Sequence, residues 1–201
     1  MATMKLNTEK IRFVIIFSIL VLIFTSVIYA FWPFPIKQWY FKGTIFEFRS
    51  DLKQATTVPT STADCKLIYQ TINNPLVADV TFYANNQSSN AALAVLEATD
   101  MARKLSIYYS LEPTAHLLTP QIYGDVWNET TNTMGSLDHV KIFIVTPPQA
   151  GKFDVEFFNN SVWINGRNLL ELDLATDKAM MCMFGMNLTY GLYSSSPVFG
   201  S

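Results

Sequence analysis

Histidine and cysteine are nearly missing from this chain, with two of each in 201 residues. Metal centres gather His, Cys and carboxylates at convergent spacing, and neither His116 nor His139 has such a partner at i+3 or i+4 of a credible helix. No metal and no cofactor is expected. Glycine is scarce too, at eight, and the chain has no P-loop, G-x-G-x-x-G, G-x-S-x-G or H-E-x-x-H motif. Enzymes built on those motifs are excluded. Basic runs are also absent: from residue 33 onward eleven Lys and Arg face fifteen Asp and Glu, a net charge of −4. Nucleic-acid binding is disfavoured, because neutralising phosphates takes clustered cations.

The longest absence is of charge. Phe13 to Trp32 (FVIIFSILVLIFTSVIYAFW) holds 20 residues with no ionisable group except the Tyr29 phenol. As a helix it would rise about 30 Å, the thickness of a bilayer's hydrocarbon core. Ser18, Thr25 and Ser26 can bond carbonyls one turn back, so no partner helix is needed to satisfy them. The lipid bilayer is therefore an expected partner, reached through Phe13 to Trp32. Pro33 and Pro35 stop the helix, and Trp39, Tyr40 and Phe41 with Lys37 and Lys42 suit an interfacial belt. The competing reading is that these rings start the core of the next domain.

Lys5, Lys10 and Arg12 precede the span and Lys37, Lys42 and Arg49 follow it at greater distance on the whole, which favours a cytoplasmic N-terminus and an extracytoplasmic domain. Four N-x-[ST] sequons, at Asn86, Asn128, Asn159 and Asn187, all follow the span and are candidate glycosylation sites on an exported domain. A cleaved signal peptide ending at Ile28-Tyr29-Ala30 is the rival. Retention is expected, since the apolar run is longer than an h-region, Ile28 is not small, and Trp and Pro follow the cut. Cys65 and Cys182 both fall in the exported part and are a candidate disulfide. Burial as free thiols is the alternative.

Hydrophobic periodicity organises the rest. Thr44–Arg49 and Ala78–Tyr83 alternate as strands, and a capping box at Ser61 opens a helix carrying Cys65, Ile68 and Ile72. A long helix is predicted over about 90–110, with Ala94, Ala98, Met101 and Leu105 in its apolar stripe and Glu97, Asp100, Arg103 and Lys104 opposite. Three strands follow at 140–146, 153–158 and 162–165, the last two joined by an Asn159-Asn160 turn. A final helix opens at Asn168 and ends near Gly185.

The fold expected is α+β: one N-terminal transmembrane helix, then a single mixed-sheet domain with helices packed on it. A parallel crossover is expected between the first two strands and a meander among the last three. Residues 1–12 make a cytoplasmic N-terminus, 13–32 the anchor, 33–42 an interfacial segment, 43–190 the domain and 191–201 a tail.

No residue is assigned to catalysis. Asp173 and Asp177, at i and i+4, are read as a solvated helix face. Tyr123, Trp127 and Trp163 form a candidate binding surface, flat rings near loop ends being suited to a partner. The function expected is a binding, scaffold or accessory module of a membrane or envelope complex, with a protein partner there. The alternative is a membrane-tethered extracytoplasmic hydrolase whose 111–138 loop forms part of a cleft, with His116, Asp125 or His139 beside it.

Overall fold

The structure is a computed structural model, and it describes residues 14–23, 36–84, 91–111, 121–123, 135–146 and 150–186. It divides into two units, residues 1–35 and 36–201. In the first, residues 14–23 form helix α1, whose apolar side chains are exposed along its length. Ten residues rise about 15 Å. Among the described residues no helix is long and apolar enough to cross a membrane, and Phe13 and 24–32 of the expected span lie outside them.

The second unit is a mixed α+β domain built on two sheets. A hairpin of β1 (Gln38–Phe41) and β2 (Thr44–Glu47) comes first, turning at Lys42 and Gly43, both at positive φ. Then come α2 (Leu52–Ala55), α3 (Thr62–Ile72), β3 (Asp79–Ala84), α4 (Ala91–Leu111), β4 (Gln121–Tyr123), β5 (His139–Val145), β6 (Asp154–Phe158), β7 (Ser161–Asn165) and α5 (Leu169–Met183). The second sheet has the order β4-β3-β5-β7-β6, parallel except for β6.

Local chemistry explains the boundaries. Ser61 Oγ accepts from the Asp64 N–H, and Asn168 Oδ1 accepts from the Glu171 N–H, so α3 and α5 each start where an orphan donor is satisfied. Asn159 and Asn160 both take positive φ, the geometry that lets a two-residue turn follow the strand twist.

Three expectations are corrected. The first strand and β3 lie in different sheets, so no crossover joins them; the two-stranded sheet forms because β1 pairs with β2 instead. The last three strands are not a meander. β5 pairs in parallel with β7, and β6 takes the edge beyond it. Trp39 and Phe41, read as members of an interfacial belt, are buried in the core: Trp39 stacks on Phe184 and meets Phe46 at a tilt, and Phe41 stacks on Tyr108. Only Tyr40 of that run faces outward, paired across the hairpin with exposed Ile45.

The layers follow from the face each strand buries. Val80, Phe82, Ala84, Ile142, Ile144, Val162 and Ile164 meet α3, α4 and α5 in one core. The hairpin and α2 then cover the far side of α4 and α5. Thus α5 is enclosed between the sheet and the hairpin, and nine of its side chains are buried, Asp177 and Thr176 among them.

Candidate functional site

Two polar constellations come out of this packing. The first lies where the segment after β2 crosses α4 and α5. On α4 the residues facing the hairpin recur at helical spacing: Glu97 meets Arg49, Lys104 lies over the Phe48 ring at 5.0 Å, and Tyr108 stacks on Phe41. The Arg49 guanidinium donates to Glu97 Oε1 at 2.5 Å. Lys104 donates to Asp100, which also accepts from Arg103. From α5, Asp173 reaches the Glu97 carboxyl, and Asp177 Oδ2 accepts the Ser50 N–H at 2.7 Å.

Glu97 and Asp177 are each 1 % exposed, which corrects the reading of Glu97 as an outward charge and of Asp173 and Asp177 as a solvated face. The hairpin supplies the cover, and its docking across α4 and α5 is not visible in either helix's own periodicity.

Burial is the dominant cause of what these acids do. It pushes Glu97 up to about 8; Arg49 opposes this, but that cation is partly solvated, and the Asp173 carboxyl adds to the rise. Burial likewise pushes Asp177 up to about 6, against the pull of the Ser50 N–H and Lys104. Asp100 goes the other way: burial raises it, but the bonds from Lys104 and Arg103 prevail and hold it low. Chemically, Glu97 is a buried carboxyl whose proton is held by burial and by the Asp173 carboxyl beside it. Among the described residues no group of three His, Cys, Asp or Glu side chains is placed to hold a metal.

The second constellation lies on the sheet face turned away from the helices. Asp79 and His139 are neighbours in register, as are Thr81 and Lys141. Thr81 Oγ1 and His139 Nε2 are 2.7 Å apart, and His139 Nδ1 is 3.8 Å from Asp79 Oδ2. The His139 ring is accessible, whereas Thr81 is 1 % exposed. One rung further on, Tyr83, Phe143 and Trp163 share a register row and stack at 4.9 and 4.2 Å. Lys141 Nζ sits 5.5 Å over the Tyr83 ring, and burial lowers its pKa.

This row holds two of the three aromatics singled out from the sequence. Trp163 is half-buried against Phe143, and Tyr123 occupies the register position beside Tyr83 on β4. Trp127, His116, Asp125, Asn86, Asn128 and Asn187 lie outside the described residues. Asn159 is exposed at the β6–β7 turn. Cys65 on α3 and Cys182 on α5 are joined in a disulfide with Cα atoms 4.9 Å apart.

Sequence reasoning missed Arg49, Glu97, Thr81 and Phe143 as members of a site. A register signal could have found the last two, because Thr81 and Phe143 alternate with core residues on strands otherwise read as half-buried. The chain matches no protein-family model, no curated protein and no solved structure.

Proposed function

We propose that this is a single-pass membrane-anchored protein whose α+β domain lies outside the cytoplasm and acts by binding, as a scaffold or accessory subunit of a membrane or envelope complex. The observation that carries the reading is the uncharged run Phe13 to Trp32, joined after three residues to the domain at Ile36. The half-buried Tyr83 and Trp163 rings, stacked on buried Phe143, support a binding role, because rings held in this way offer a rigid contact area at low entropic cost. The test is removal of residues 1–32. The full chain is expected in the membrane pellet after alkaline carbonate washing and the truncated chain in the supernatant. A full chain released by the wash counts against the anchor, and a truncated chain that is monomeric and retains no membrane component counts against the partner.

A membrane-tethered hydrolase is the second reading, and the Thr81, His139 and Asp79 geometry favours it. A hydroxyl within hydrogen-bond reach of an imidazole, with a carboxylate oxygen 3.8 Å from the other ring nitrogen, approaches the arrangement that activates an oxygen nucleophile. Turnover of activated acyl esters that disappears in Thr81→Ala and His139→Ala chains would establish it. Turnover unchanged in both, or absent from the parent, would dismiss it.

A further inference from the structure

The two ends of the domain differ in their distance from the point where the chain enters. Lys42, at the hairpin turn, donates to the Leu111 carbonyl at the C-terminal end of α4. Strand β1 runs back from there, and Ile36, six residues earlier, lies about 20 Å further along at strand rise. The contacts along α4 agree: Phe41 meets Tyr108, Phe48 meets Lys104, and Arg49 meets Glu97. Ile36 is tied to this level, its N–H donating to Asp51 and its carbonyl accepting from Leu52. The chain therefore enters the domain level with Glu97, in the second turn of α4.

That end of the domain exposes large apolar side chains. Val95 and Leu96 flank Glu97 at 38 % and 51 % exposure, and Leu169 and Leu170 open α5 at 49 % and 63 %. Leu170 precedes Asp177 by two helical turns, about 10 Å, so these side chains reach from the entry level outward. Arg167, beside them, is exposed and paired with Glu171. From Trp32 to Ile36 the chain can span at most about 14 Å.

We propose that the end of the domain where α4 and α5 begin rests on the bilayer, with Val95, Leu96, Leu169 and Leu170 entering the headgroup region. This rests on the reading of Phe13 to Trp32 as a membrane anchor, since the short tether is what holds that end at the lipid surface. The opposite end also exposes Leu76, Leu137 and Phe158, but it lies a strand length beyond the entry point. The apolar rim on the tethered side gains lipid contact, as interfacial side chains do.

The test uses the full chain in vesicles of phosphatidylcholine and phosphatidylglycerol, with a spin label on one added cysteine. Leu20→Cys reports the anchor, Leu170→Cys the rim and Leu137→Cys the far end; the native cysteines are bonded and stay unlabelled. Leu170 is exposed, so its replacement leaves the core intact, and Leu96→Cys supplies a second rim site. Collision with oxygen exceeding collision with a water-soluble nickel chelate at Leu20, Leu170 and Leu96, reversed at Leu137, is the expected result. Lipid contact at Leu20 with nickel access at both rim sites overturns the rim while leaving the anchor standing. Nickel access at Leu20 overturns the anchor and the rim together.

Discussion

Glu97 shows how far a residue's role depends on what covers it. Its folded-state pKa is raised from 4.5 to about 8, and that of Asp177 from 3.8 to about 6, burial being the chief cause of both. Each acid binds its proton more tightly folded than unfolded, so its contribution to stability is complete below the unfolded value and is lost as pH rises through the folded one. Asp100, held low by Lys104 and Arg103, acts in the opposite sense on the acid side. The unfolding midpoint is therefore expected to fall as pH rises from about 4.5 to about 8, followed by circular dichroism. Glu97→Gln keeps an acceptor for Arg49 and removes the upper titration, so the variant should lose less over this range and exceed the parent at pH 9 by several degrees, at about 2–4 °C per kcal/mol. Parallel profiles for the two proteins would contradict the assignment. The sequence could not show this, because i, i+4 carboxylates on an isolated helix look solvated whatever later packs on them.

At the scale of elements, capping and close approach set the boundaries, and their removal has calculable effects. Asn168→Ala deletes the acceptor for the Glu171 N–H and should cost about 1 kcal/mol in denaturant unfolding. Gly166→Ala should cost more, about 1–3 kcal/mol, because a Cβ there falls 2.6 Å from the Leu172 backbone nitrogen and Cα. An unchanged midpoint in either variant would remove that residue from the account. Helices α3, α4 and α5, the caps of α3 and α5 and the Asn159-Asn160 turn were legible because each is encoded within a few residues. β1 was not, since Trp39, Tyr40 and Phe41 beside two prolines carry the same signature as a membrane-interface belt. The parallel pairing of β5 with β7 was not legible either: it joins residues some twenty positions apart, and alternation within a strand says nothing about its neighbour.

For the whole molecule, the Cys65–Cys182 bridge closes the longest described loop between a surface helix and the enclosed helix α5, with a separation of 117 residues. Opening it should lower stability by about 2–5 kcal/mol, read from urea unfolding with and without reductant. No change on reduction would mean the bridge is not formed. A disulfide of this kind suits an oxidising compartment, so it joins sidedness to stability: the domain that needs the bridge is the one proposed to be exported. Phe13 to Trp32 is proposed to hold the chain in a membrane with residues 36–201 outside the cytoplasm. Protease added to intact cells measures this most directly. The domain is expected to be digested while a fragment carrying the N-terminal segment survives; a full-length chain that persists until the cells are lysed would contradict this topology.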